Sequence, residues 1–172
     1  MKPILFIISL LLSASITIGQ PKKFYSNVYD YSIVITDDFQ KGTPVTPHCD
    51  LLFKDNSGSS VSIIVKNRDF RTKSPHDLSM PFFKKIFSNI DRGVEIFGEE
   101  KLFIEDNKVY TYSMFIKFPD NNAVLYYKYF VYYDDNYEYV ITMASKKELY
   151  DYYNYVFNQF GRSFKLHVKG SH

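Results

Sequence analysis

One stretch of the chain sets a nucleophile, a base and a carboxylate side by side: His48-Cys49-Asp50. Neighbours on an extended strand point to opposite faces, so His48 and Cys49 are poorly placed to share a proton. A buried structural thiol is the expected role of Cys49. His48, His76, His167 and His172 are scattered, and neither an HExxH nor an EF-hand pattern occurs, so no metal site is expected. His76 and Asp77 follow Ser74-Pro75 and read as helix-start residues, and Asp134-Asp135-Asn136 reads as a solvated turn. No GxGxxG, P-loop or GxSxG pattern occurs, and the chain has only seven glycines, which argues against a loop that cradles phosphate; no cofactor is expected. Arg68, Arg71 and Lys73 surround Phe70, a combination that can bind single strands, but a solvated loop is the expected reading. Carboxylates far apart in sequence can still pair across a glycosidic bond, which keeps a small secreted hydrolase with a dispersed active site as the alternative function.

The elements that would position such groups are bounded by composition. With 172 residues, 45% of them hydrophobic and 23% charged, the chain is long enough for one domain with a core of its own. One cysteine excludes a disulfide framework, and a net charge of +2 gives no pull toward nucleic acid, which is not expected as a partner. The unusual quantity is aromatic: 16 Tyr and 16 Phe with no Trp. Tyrosine suits half-buried strands, and it also suits contact surfaces.

Met1-Lys2 precedes an apolar run from Ile4 to Leu12, and small and hydroxyl residues follow to Gly19. That order is a secretory signal peptide over residues 1–19, with Thr17 and Gly19 before the cut and a cut after Ser15 as the alternative. The apolar run is too short to span a membrane, so no stable span is expected after cleavage. Removing residues 1–19 takes away Lys2 and no acid, leaving an almost neutral chain that begins at Gln20. The expected location is periplasmic or secreted. Residues 20–28 read as an N-terminal linker, 29–166 as one α+β domain and 167–172 as a tail.

Within that domain, residues 30–36 read as a strand and 37–48 as a loop with Gly42, Pro44 and Pro47. Residues 49–54 and 60–66 form a hairpin around a five-residue loop, pairing Phe53 with Val61 and Leu51 with Ile63, with Cys49 and Val65 on the same face. A helix is expected over 79–91 with Phe82, Phe83, Ile86, Phe87 and Ile90 on one side, ended by Gly93. Residues 94–104 look extended. A three-strand meander follows over 108–118, 123–133 and 137–144. A four-residue turn sets Phe118 opposite Ala123 and Tyr112 opposite Tyr129. A three-residue turn at 134–136 sets Tyr133 opposite Tyr137 and Val131 opposite Tyr139. A last helix is expected from a Ser145/Glu148 capping box, with Leu149, Tyr153, Val156 and Phe160 as its core stripe and Gly161 as its end. On the second face of the meander, this register gathers Phe115, Tyr126, Phe130, Tyr132 and Val140 around Lys128. This is the candidate contact patch, to be covered by a helix or left open to a partner.

The order just read is strand Tyr31–Phe39, hairpin, helix, meander, capped helix and Phe160-Gly161-Arg162-Ser163-Phe164, and over residues 29–166 it resembles the PsbP-like fold. That resemblance implies an α/β/α sandwich: a mostly antiparallel sheet flanked by helices on both faces. It implies no catalytic motif, and Thr36 and Phe39 stand where that family often has Pro and Trp. The resulting expectation is an exported, tyrosine-rich, non-catalytic binding or accessory domain whose partner is an unknown protein or small ligand.

Overall fold

A computed structural model describes residues 19–44, 46–68, 93–104 and 109–167. The strands are β1 (Pro21–Tyr25), β2 (Tyr31–Thr36), β3 (Gln40–Lys41), β4 (Cys49–Lys54), β5 (Ser60–Asn67), β6 (Glu95–Ile104), β7 (Val109–Lys117), β8 (Val124–Tyr133), β9 (Tyr137–Lys146) and β10 (Lys165–Leu166). One 3-10 turn (Lys147–Leu149) leads into helix α1 (Tyr150–Ser163). Seven strands form an antiparallel sheet in the order β3-β4-β5-β9-β8-β7-β6, and β1-β2-β10 form a smaller one. The helix expected over 79–91 lies outside the described residues, as does nearly all of the expected signal peptide. Among the described residues there is therefore one helix, and the small sheet joins it on the same face of the large sheet.

The core follows from β-branched and aromatic residues repeating at every second position. Leu51, Ile63, Ile141, Phe130 and Thr111 stand in one row across β4, β5, β9, β8 and β7. On that face Phe53, Val61, Tyr139 and Met143 pack with Val156, Phe157 and Phe160 of α1 and Tyr31, Ile33 and Ile35 of β2. The opposite face carries a second cluster of Tyr110, Tyr112, Met114, Ile116, Tyr129 and Val131, also buried. The β4–β5 pairs Leu51–Ile63 and Phe53–Val61 are as expected, and so are the β7–β8 pairs Ile116–Leu125, Met114–Tyr127, Tyr112–Tyr129 and Tyr110–Val131.

Several expectations are corrected. The β8–β9 register is shifted by one: Val131 faces Val140, Tyr132 faces Tyr139 and Phe130 faces Ile141. Asp134 belongs to the ladder, its amide bonding the Tyr137 carbonyl at 3.1 Å, so only Asp135 and Asn136 form the loop. The Asp134 carboxylate holds that short loop by accepting from the Asn136 and Tyr137 amides, both at 2.7 Å. A one-residue slip sends every side chain of β9 to the other face. Residues 20–28 are not simply a linker, because β1 pairs with β2 from Pro21–Thr36 to Tyr25–Ser32. Its lysines hide it, as charge commonly does on an edge strand, while Phe24 packs on Phe53 with ring centres 4.6 Å apart. Likewise the 37–48 loop contains β3.

Ser145 does not cap the helix. It pairs with Tyr126 inside the sheet, its hydroxyl is buried with no hydrogen-bond partner, and α1 begins at Tyr150 without a side-chain cap. Gly161 does not end α1, which continues to Ser163. It is the point where the helix lies on the sheet: a β-carbon there would meet the Phe130 ring, 2.5 Å from Cδ2 and closer still to Cε2 and Cζ. Cys49 pairs with Ile64 at a bulge that interrupts β4 before Leu51, which leaves it half-buried instead of on the core face.

Candidate functional site

The residues of the expected contact patch divide between three environments. Tyr126, Lys128, Phe130 and Tyr132 are buried beneath α1. Tyr132 donates to the Gly161 carbonyl at 2.6 Å. The Tyr126 hydroxyl and the Lys128 ammonium both donate to Asn154 Oδ1, at 2.8 and 3.1 Å. Burial lowers the Lys128 pKa, with Glu100 acting against that and Arg162 with it. Val140 lies on the opposite face, beside the Tyr129 and Val131 cluster, as the corrected register requires. Phe115 alone is at the rim. It stacks on exposed Phe97 at 5.5 Å, meets Tyr150 at 5.2 Å, and has the Lys147 ammonium 5.7 Å from its ring centre. The patch is thus mainly an interior wall.

Among the described residues, Cys49 and Asp50 form their side-chain hydrogen bonds with other groups, not with each other. The Cys49 thiol donates to the Leu51 carbonyl at 3.3 Å, and burial followed by the Asp50 charge raises its pKa. Asp50 instead accepts from the Tyr31 hydroxyl. Three more contacts of the same kind stand among the described residues: Tyr112 donates to Glu99, Tyr139 to Asp134 and Tyr153 to Asp55. Each ring is buried, and each carboxylate sits where a strand ladder is broken. Asp50 and Glu99 lie in the bulges of β4 and β6, and Asp55 and Asp134 open the β4–β5 and β8–β9 turns. Gly98, with φ +62°, makes the β6 bulge and takes the conformation that side chains disfavour. All four hydroxyls are held in their neutral form: burial first, then the adjacent carboxylate, raises the pKa of Tyr31, Tyr112, Tyr139 and Tyr153.

Two recesses open beside these staples. A cleft of about 360 Å³ lies between the Tyr29-Asp30 turn, the Asp134–Tyr137 turn and His167. Tyr29 and Tyr137 meet edge to face at 5.1 Å and form its aromatic wall. Its third carboxylate, Asp134, is committed: it accepts from two amides and from Tyr139 at 2.6 Å. His167 is tied down too, its amide bonding the Asp30 carbonyl at 2.8 Å and its Nε2 lying 2.9 Å from Ser32 Oγ. Asp30 and Asp135 are exposed at the mouth. A second recess of about 460 Å³ is lined by Asp37, Asp38, Asp55, Ser57, Tyr152 and Tyr153 among others. Among the described residues no group of three or more His, Cys, Asp or Glu is placed to hold a metal ion. Neither recess was visible in the sequence: the first is walled by turns more than a hundred residues apart, and the second joins the 37–40 and 55–57 segments to Tyr152 and Tyr153 of α1. The local signal at the first recess was Asp134 at a turn start with Tyr137 and Tyr139 close behind it.

No protein-family model matches the chain. No curated protein matches it. Solved structures do. The solution structure of cyanobacterial PsbP (CyanoP) from Synechocystis sp. PCC 6803 is 18% identical, with a TM-score of 0.66 over 89% of this chain and 96% of that one. The crystal structure of the Saccharomyces cerevisiae Ran-binding protein Mog1p is 9% identical, with a TM-score of 0.63 over 86% of this chain and 96% of that one. A Mog1 point mutant is 10% identical, with a TM-score of 0.61 over the same shares. The two-sheet, helix-backed arrangement of this chain is thus the PsbP-like fold that these structures share.

Proposed function

We propose that this chain is an exported, non-catalytic binding or accessory domain that works in the periplasm or outside the cell. Its contact site is the cleft between Tyr29-Asp30 and the Asp134–Tyr137 turn. The observation that carries this reading is the division of labour in the cleft: Asp134 and His167 are bound into the fold, while Asp30 and Asp135 are left exposed beside a tyrosine wall. Carboxylates over aromatic rings suit the lysine or arginine side chain of a protein partner, by charge and by cation–π attraction. The hydrolase alternative needs a carboxylate placed to move a proton, and the acids that line the recesses most deeply, Asp134 and Asp55, are tied into turns. Mog1p, a Ran-binding protein by its name, lends the binding reading support from the same fold. The full α/β/α sandwich, with a helix over residues 79–91 against the Met114 and Val131 face, belongs to this proposal as well; burial of that face supports it.

The test is a titration of the mature protein with an arginine-containing peptide and with its glutamate counterpart, followed by NMR shifts. The arginine peptide is expected to shift Tyr29 and Tyr137, more weakly as salt rises. The Asp30→Asn/Asp135→Asn variant is expected to lose about tenfold in affinity, near 1.4 kcal/mol. Equal binding of both peptides, or an unchanged affinity in the variant, refutes the cleft as the site.

A further inference from the structure

The second recess has an excess of negative charge. Asp37, Asp38 and Asp55 line it, and among the described residues no Lys, Arg or His stands within ion-pair distance of any of them. The chain itself enters at this point. The Gly19 amide donates to Asp38 Oδ2 at 2.8 Å, and the Gln20 carbonyl accepts from the Asp37 amide at 2.9 Å. Gly19 lies so close between the two carboxylates that a β-carbon there would collide with Asp37 Oδ1 and Asp38 Oδ2, and would stand 2.7 Å from Asp38 Cγ. From Pro21 onward the strand is fixed by pairing to β2.

We propose that the Asp37-Asp38 pair is the receptor for the chain's own processed N-terminus. The inference rests on the export reading above, with its cut after Gly19. That cut removes the glycine held between the carboxylates and leaves the α-ammonium of Gln20 next to them, at the start of a strand already tied to β2. The ammonium supplies a cation to carboxylates that have none at ion-pair distance among the described residues. Opposite charge raises an amine's pKa from its ordinary value near 8. The pairing has a chemical consequence. An N-terminal glutamine cyclises when its neutral α-amine attacks its own side-chain Cδ. A C–N bond forms to the α-nitrogen, the bond from Cδ to the amide nitrogen breaks, and ammonia leaves with a proton from the amine. An amine held as ammonium has no lone pair to attack with. A rise of about one unit in its pKa therefore slows cyclisation about tenfold near pH 6.

The test exports the full chain and follows the mature protein by intact mass at about pH 6. The expected product begins at Gln20 with its ammonia retained. Asp37→Asn/Asp38→Asn, both exposed positions, is expected to lose ammonia about tenfold faster than the parent, and the parent unfolded in urea to match the variant. Raised salt is expected to speed the parent and leave the variant unchanged. Equal rates in folded parent, unfolded parent and variant overturn the receptor and leave export standing. A product already cyclised when recovered does the same. A product that keeps residues 1–19, or starts elsewhere, overturns the receptor together with the assigned cut.

Discussion

Replacing Gly161 with alanine tests how α1 is seated on the sheet. The added methyl carbon falls 2.5 Å from Phe130 Cδ2, where carbon atoms ordinarily rest about 3.5–4.0 Å apart. Ring and helix must therefore separate by about 1 Å or more. Neither is free to do so. Phe130 is fully buried in the row with Ile141, and α1 is pinned by Tyr132 to the Gly161 carbonyl and by Ser163 to the Val34 amide and carbonyl. Overpacking at so close an approach costs about 2–3 kcal/mol, while alanine in place of glycine inside a helix returns about 1 kcal/mol. The net expectation is a loss of about 1–2 kcal/mol. Phe130→Ala alone is expected to cost about 3–5 kcal/mol through its cavity. Combining the two separates the effects. With the ring gone, the methyl group has room, only the propensity gain is left, and Gly161→Ala becomes stabilising by about 1 kcal/mol. Urea titrations of the four proteins measure this, and the expected coupling is about 2–3 kcal/mol. If Gly161→Ala destabilises equally with and without the Phe130 ring, the close approach is not what glycine provides, and the reasoning fails.

Three further outcomes follow from the buried polar groups. The stapling tyrosines have folded pKa values above the unfolded value near 10. Their contribution is fully present below about pH 10 and is lost as pH rises beyond it, so melting temperature is expected to fall steeply above about pH 10 and less so in Tyr139→Phe. For Asp134, burial acts to raise the carboxyl pKa, but the Tyr139 hydroxyl and the Asn136 and Tyr137 amides outweigh it, and the pKa is lowered. Its contribution is present above about pH 4 and is lost as pH falls further; a melting curve flat across both limits refutes the assignment. Lys128 is a buried ammonium that donates to an amide oxygen, its one hydrogen bond among the described residues. Lys128→Met, similar in length and uncharged, is expected to be neutral or to gain about 1–4 kcal/mol in denaturant titrations. A loss above about 2 kcal/mol marks the charge as a stabilising part of the Asn154 network.

The parts of the fold that were legible are those where one reading of the turn was compatible with the pattern. The β4–β5 hairpin and the β7–β8 register follow from turn length and alternation together. The β8–β9 register does not, for a physical reason. A slip of one residue usually betrays itself by turning polar side chains inward, but both faces of this sheet are apolar. Val140 is as acceptable against Phe130 as Ile141 is, so alternation cannot decide. The decision rests with Asp134, whose carboxylate draws the turn down to two loop residues. The candidate patch inherited that slip in Val140. Its other members share one face of the sheet, yet a sequence does not reveal that α1 would press a glycine onto Phe130. Ser145 and Glu148 have the spacing of a capping box, but the sheet extends through Lys146 because β9 still has β8 to pair with. The clefts were out of reach altogether, since pairing of β10 with β2 is what brings His167 to Asp30.

The excess of tyrosine over what a strand needs has its explanation in the same places. A phenylalanine fills a core position equally well, and the chain uses as many of them. What a tyrosine adds is a hydroxyl that reaches from the core to the edge of the sheet, where ladders end or bulge and backbone groups lose their regular partners. At Asp50, Glu99, Asp55 and Asp134 that hydroxyl meets a carboxylate, and at Asp55 and Asp134 the same carboxylate also accepts the amides of its turn. The turn is thus bonded to itself and to the core by one side chain. Both recesses are framed by such turns, one by Asp134 and the other by Asp55. Walls held in this way lose little freedom when a ligand arrives, which lowers the cost of binding. The same bonds occupy the carboxylates that proton transfer would require. A tyrosine-rich sheet with acids at its broken edges therefore presents fixed surfaces, with Asp30 and Asp135 left exposed beside Tyr29 and Tyr137, and the proposed contact site draws on that construction.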